Sequence, residues 1–246
     1  MRPTIVTAFH DIGRDKWTDT PIKQETYINR FKYLCKLENP VIIYTEFKYA
    51  DIMNKIKLIM KHDLEIVYEN LYDNRYVIDA IEDEHPEYIY LKNKKAEYVR
   101  RAISKYALDG HVAWVDCGLV RSGDQLPENK IWEGDFRNCI NVWTQRQNDD
   151  FMDRHNMGDT FNFISMKQKG IDDSIVVAPA YMWYWLEEQN EINRKWCRDR
   201  DIVTTEDVIL TMTYKYMFNK NDFILRYGKP SLVDDLQTVT SPLFLR

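Results

Sequence analysis

The sequence predicts an α/β chain: a mixed, mostly parallel sheet flanked by helices, in a single compact domain. Two observations carry this. Through the first half, short β-branched runs alternate with stretches whose apolar residues recur at helical spacing, the order that gives parallel pairing and right-handed crossovers. The second half is less regular, but it repeats strand and helix signals without a linker, a repeat or a low-complexity tract. The 246 residues are 44% hydrophobic and 30% charged, enough to build a sizeable core.

The elements follow in order. Thr4-Ile5-Val6-Thr7-Ala8-Phe9 reads as a first strand that runs into the polar turn His10-Asp11-Ile12-Gly13-Arg14. Residues 24–37 place Tyr27, Phe31, Leu34 and Cys35 on one helical face, and Asn39-Pro40 ends that helix. Val41-Ile42-Ile43-Tyr44-Thr45 is a second strand. Ile52, Ile56, Ile59 and Met60 mark a second helix, and Leu64-Glu65-Ile66-Val67-Tyr68 a third strand. Residues 79–86 are acidic and end in proline, as in a surface segment. Residues 94–108 form another helix, with Ala96, Val99, Ile103 and Tyr106 on one side, leading through Asp109-Gly110 into Val112-Ala113-Trp114-Val115, a fourth strand. Beyond it, residues 132–166 alternate short apolar and polar pieces, as in antiparallel strands and loops. Ser174-Ile175-Val176-Val177-Ala178-Pro179 is a strand, residues 181–196 a Trp-rich helix, and residues 204–216 a last helix.

The fourth strand runs straight into Asp116-Cys117-Gly118. An acid at the C-terminal end of a parallel strand either closes a turn or meets a ligand, because that end of an open α/β sheet is where ligands bind. Small residues after it let something approach the backbone.

Composition excludes several classes. A net charge of −5 argues against a nucleic-acid partner, which calls for a basic face. The four cysteines, Cys35, Cys117, Cys139 and Cys197, form no CxxC pair, so neither a disulfide framework nor a zinc site is expected. No signal peptide and no membrane-spanning run is visible, so a cytoplasmic location is the expectation.

Four stretches in order, TIVTAFHDIGR, NPVIIYTEF, PEYIYLKNKKAEYVRRAI and WVDCGLVR, resemble the HtrL/YibB family of bacterial proteins, with a weaker continuation through DSIVVAPAYMW and TTEDVILTMTYKY. That family is associated with lipopolysaccharide and surface-glycan genes, and its layout is similar to GT-A glycosyltransferases. The resemblance implies a GT-A-like (Rossmann-like) enzyme that moves a sugar from a nucleotide-sugar donor to a hydroxyl of a glycan acceptor. Residues 1–122 would be the donor half and residues 123–246 the acceptor half. The work would lie in the cytoplasm or at the cytoplasmic face of a membrane touched peripherally. A noncatalytic nucleotide- or glycan-binding protein on the same scaffold is the alternative. A nucleotide phosphohydrolase would call for more clustered carboxylates.

The resemblance also implies roles for particular residues. In GT-A enzymes an Asp-any-Asp motif at this strand end binds Mn2+ or Mg2+ on the donor diphosphate. Here the motif is Asp116-Cys117-Gly118, with one carboxylate missing. Asp116 therefore holds a metal alone, contacts the donor sugar or ribose without one, or only caps a turn. Gly118 leaves room for the donor. Thr7, Phe9, Asp11 and Arg14 lie where the base, ribose and diphosphate would sit. The plain alternative is an ordinary loop with Arg14 paired to Asp11 or Asp15. Lys95 matches the family's lysine before the acidic motif. A lysine opening a helix opposes the helix dipole, which sets it apart from the neighbouring lysines; a ligand role and a solvated basic face with Lys92, Lys94, Arg100 and Arg101 stand as equal readings. Glu206 and Asp207 are candidates for the base that takes the acceptor hydroxyl's proton. Against that, Thr204 three residues before Asp207 reads as a helix cap. Cys117 is read as a small residue beside a ligand rather than a nucleophile. Tyr181-Met182-Trp183-Tyr184-Trp185 is read as core more than as a sugar platform. His155, Asp149, Asp150 and Asp153 have no fixed geometry.

Overall fold

The computed structural model describes residues 1–17, 21–71, 86–121, 124, 126, 130–144, 170–202, 204–216, 222–227 and 232. Their architecture is the expected one, a mixed sheet of seven strands between two layers of helix. The strands are β1 (Thr4–Phe9), β2 (Val41–Thr45), β3 (Leu64–Tyr68), β4 (His111–Val115), β5 (Ile140–Thr144), β6 (Asp172–Pro179) and β7 (Phe223–Tyr227). They lie in the order β3-β2-β1-β4-β6-β5-β7. β6 runs against its neighbours β4 and β5, and the other pairs are parallel.

The helices are α1 (Gln24–Leu34), α2 (Ala50–Met60), α3 (Pro86–Asn93), α4 (Lys95–Tyr106), α5 (Ala180–Arg198) and α6 (Glu206–Tyr216). Alternation along β1 explains the two layers. Ile5 and Phe9 point into one core with Ile28, Phe31 and Leu34 of α1 and Met53 and Ile56 of α2. Val6 and Ala8 point into the other, with Val99 and Ile103 of α4 and Trp183 and Leu186 of α5. Buried on both faces, β1, β2 and β4 are continuous apolar runs, as parallel strands between helices must be.

Several elements depart from expectation. α3 occupies the end of the stretch read as surface: Pro86 stands at its first position, where a missing N–H costs nothing. β5 is one of the antiparallel strands expected in residues 132–166, whereas β7, not expected, extends the sheet at its edge. The helix read as 24–37 ends at Leu34, and α4 ends at Tyr106, where Ala107 takes the left-handed conformation (φ 50°) and Leu108 N–H reaches Ile103 C=O.

The order creates a switch point. From β1 the chain moves to one side through β2 and β3. It then returns through α3 and α4 to place β4 on the other side of β1. Diverging connections open a crevice beyond the C-terminal ends of β1 and β4.

Candidate functional site

Asp116 follows β4 directly at that crevice, and its backbone N–H donates to Ser174 C=O (2.9 Å), continuing the β4–β6 ladder by one residue. Its Oδ1 accepts from Trp114 Nε1 (2.7 Å) and meets Lys95 Nζ (2.7 Å). Its side chain is 30% exposed, and no described residue bonds its Oδ2. Lys95, buried at the first position of α4, also reaches Asp173 Oδ2 (2.8 Å) and Asp173 C=O (3.0 Å). One ammonium thus links two carboxylates on adjacent strands.

Asp173 is a residue the sequence reading missed. It is buried and meets a second ammonium, Lys92 Nζ of α3, at 2.5 Å. Burial alone would raise its pKa; Lys92 and Lys95 outweigh burial and hold the carboxyl well below the usual range. Lys92 in turn overcomes its own burial through Asp173 and Asp116 and stays charged. A signal was present: in Asp172-Asp173-Ser174-Ile175, alternation puts Asp173 on the row of Ile175, a buried position where a carboxylate requires a cation.

Arg14 lies in a short 3-10 turn (Arg14–Lys16) after β1. Neither Asp11 nor Asp15 pairs with it. Its guanidinium donates to Tyr27 Oη (2.5 Å) and lies over the rings of Trp17 (5.1 Å), Tyr27 (5.9 Å) and Tyr88 (5.9 Å). Its Nε is buried without a hydrogen-bond partner. Tyr88 also lies 5.9 Å from Lys92 Nζ, so Arg14, Lys92 and Lys95 form a run of cations along the crevice. Asp11 instead builds the turn: it accepts from Gly13 N–H (3.1 Å) and Gln24 and pairs with Lys48 (3.1 Å). Thr7 and Phe9 are buried in the sheet; Phe9 packs on Tyr49 (4.8 Å), and Thr7 Oγ1 has no partner.

A Cβ on Gly118 would lie 2.7 Å from the ring of Tyr27. The missing side chain is thus required by α1, which Arg14 fastens through Tyr27. Gly118→Ala is expected to cost about 1–3 kcal/mol by overpacking, read as a lower melting temperature.

Glu206 and Asp207 open α6, both buried. Glu206 accepts from Asn190 Nδ2 (2.6 Å) and Arg194 (3.2 Å) on α5. Burial, which Arg194 only partly offsets, pushes its carboxyl up to about 7. Asp207 accepts from Thr205 Oγ1, and the Thr205 carbonyl accepts from Val208 (3.1 Å) and Ile209 (3.1 Å), so Thr205 rather than Thr204 closes the first turn. The charges of Asp173 and Lys95 act on Glu206, and that of Asp207 on Lys92, so both acids belong to the same electrostatic cluster.

Other sequence candidates fall outside it. Cys117 is buried, which raises its thiol pKa and makes it a poor nucleophile. Trp183 is core, donating to Val112 C=O (3.0 Å), while Tyr181 and Tyr184 are exposed. His155, Asp149, Asp150, Asp153 and most of the acidic stretch 79–86 lie outside the described residues.

A divalent cation does not fit this donor set. Lys95 Nζ already lies between the two carboxylates, and Asp116 Oδ1 is engaged twice. Among the described residues no three His, Cys, Asp or Glu side chains gather as metal ligands. No described helix is long and apolar enough to cross a membrane.

The HtrL_YibB family model, a bacterial protein family of unknown function, matches residues 2–62. Protein HtrL of Escherichia coli K12 is 28% identical over 187 residues, covering 61% of this chain and 66% of that protein, just under two thirds of its length. The resemblance read from the sequence motifs is thereby borne out. Among solved structures, mouse xyloside xylosyltransferase 1 in its apo form aligns with a TM-score of 0.48 at 6% identity, over 92% of this chain and 85% of that one. A glycosyltransferase involved in glycosylation of the major capsid of PBCV-1 aligns at 0.42 and 12%, over 92% and 82%. The 4-diphosphocytidyl-2C-methyl-D-erythritol synthase of Anaerococcus prevotii aligns at 0.43 and 11%, over 95% and 91%. At these scores no substrate or chemistry passes from them to this chain.

Proposed function

We propose that the protein is a nucleotide-sugar-dependent glycosyltransferase of GT-A-like layout, using a fixed lysine where related layouts use a metal. The observation that carries this is Lys95 Nζ between Asp116 and Asp173 at the sheet's switch point. The donor lies in the crevice of the 1–122 half. Asp116 Oδ2 accepts a hydroxyl of the donor ribose or sugar. Arg14, without an acid partner among the described residues, takes the diphosphate as a planar donor, and Lys95 adds charge beside it. In the transfer step the acceptor hydroxyl oxygen forms a bond to the anomeric carbon, and the bond from that carbon to the diphosphate oxygen breaks. The cations hold the charge that develops on the leaving diphosphate. The hydroxyl proton passes to Glu206 or Asp207, of which Glu206 has the proton affinity suited to neutral pH. The acceptor is a hydroxyl of a surface glycan held by the 123–246 half, in the cytoplasm or at a membrane face.

The test is calorimetry against a set of nucleotide-sugars, followed by a transfer assay. One donor is expected to bind, EDTA to leave that binding unchanged, and Asp116→Asn to weaken it about tenfold or more. Binding that vanishes with EDTA would return the metal to Asp116; full transfer by Asp116→Asn would remove Asp116 from the site.

One observation favours a second reading, a noncatalytic binder on the same scaffold. Glu206 and Asp207 are only 3% and 2% exposed, so neither candidate base is open to an acceptor. Donor binding without turnover on any glycan would decide for it.

A further inference from the structure

A second basic surface lies beside the crevice. A groove of about 610 Å3 runs along α1 to the segment after Gly118, within the size range of small-ligand sites. Arg30, Lys32, Lys36 and Arg121 line it, with Asn29 and Tyr33 between them, and no acid does. None of the four cations meets a carboxylate among the described residues. Lys32 Nζ donates to Asn29 Oδ1 (3.2 Å), and Lys36 Nζ lies over the Tyr33 ring (4.3 Å). Arg30 donates to Gly118 C=O (3.3 Å). Asp124 accepts from the Arg121 backbone N–H (2.6 Å), not from its guanidinium.

Four cations around one concavity, none paired with a carboxylate among the described residues, are a local departure in a chain of net charge −5. An anion bound between them offsets their mutual repulsion. Two arginines supply planar donor forks and two lysines supply point charges, a set matched to dense oxyanions. We propose that this groove binds the phosphate groups of a soluble ligand carrying two or more of them. Because Arg30 touches the loop that follows Asp116, that ligand is the acceptor, whose reacting hydroxyl lies against the 123–246 half while its phosphates reach this groove of the 1–122 half: a phosphate-bearing glycan rather than a neutral one. Naming it as the acceptor rests on the transferase reading; the anion site does not. The concave wall favours a ligand that enters over a flat lipid surface.

The experiment is calorimetry with inorganic tripolyphosphate on the full chain and on a Lys32→Gln/Lys36→Gln/Arg121→Gln variant. Arg30 is kept because it fastens Gly118. The wild-type chain is expected to bind, more weakly as salt is raised, and the variant to lose tenfold or more in affinity with its melting temperature unchanged. No binding by the wild type, or equal binding by the variant, overturns the site. Phosphatidylglycerol vesicles form the other arm: vesicle binding that the variant loses, without tripolyphosphate binding, makes the surface a membrane contact and also overturns the proposal. No nucleotide-sugar and no turnover is read, so failure of the transferase reading leaves this result standing.

Discussion

Asp173→Ala is expected to destabilise the protein by about 3–5 kcal/mol, the usual cost of removing one partner from a buried charge cluster. The carboxylate faces two ammonium groups, Lys92 at 2.5 Å and Lys95 at 2.8 Å, and all three side chains are largely withdrawn from water. Without it, the only carboxylate that either buried lysine contacts among the described residues is Asp116, which meets Lys95 directly and acts on Lys92 only at longer range. The melting temperature should fall by on the order of 10 °C. Replacing the whole cluster by Lys92→Met, Lys95→Met and Asp173→Leu should recover most of that loss, because the penalty belongs to unpaired charge rather than to missing volume. An alanine variant within about 1 kcal/mol of wild type would mean that water, not Asp173, neutralises the lysines.

The second large effect is a pH dependence carried by Glu206. Its carboxyl is pushed from an ordinary 4.5 to about 7 by burial, with Arg194 opposing. A raised carboxyl binds its proton more tightly when folded. The resulting stability is fully present below the unfolded value of 4.5 and is lost as pH rises through about 7. Relative to Glu206→Gln, the wild-type chain should therefore lose on the order of 3 kcal/mol between pH 4.5 and 8, measured by urea unfolding at each pH. Glutamine keeps a carbonyl for Asn190 Nδ2, so the comparison isolates the proton. Parallel curves for the two proteins would show that Arg194 holds Glu206 ionised throughout.

Much of the fold is legible in the chain because its signals are local. β1, β2 and β4 are apolar runs bounded by turns, and α1, α2 and α4 carry one apolar stripe each. α3 was not legible. In Pro86-Glu87-Tyr88-Ile89-Tyr90-Leu91 the apolar residues are consecutive, so no helical period appears, and Pro86 alone marks the start. β7 is shorter still, five residues, and its assignment depends on parallel pairing to β5, a partner far away in sequence.

The candidate site divides the same way. Asp116 stands out because it ends an apolar strand, and Lys95 because it opens a helix against the dipole; both are properties of neighbouring residues. Arg14 carries charge wherever it lies, but the sequence offers Asp11 and Asp15 as partners, and only packing against Trp17, Tyr27 and Tyr88 leaves it without an acid among the described residues. Glu206 and Asp207 look like ordinary first-turn acids until α5 covers them.

By itself the sequence determined most of the strand and helix order, the parallel N-terminal half, the placement of Asp116 at the end of β4 and the resemblance to HtrL/YibB. Periodicity and turn chemistry act between residues a few positions apart, so a single chain carries them in full. Only the tertiary structure decided what neutralises what. Lys95 and Asp173 meet across 78 residues of chain, and no local pattern announces the pair. Charge pairing depends on distances of a few ångströms between segments brought together by strand order and register. A one-residue shift of β6 would turn Asp173 to the other face of the sheet.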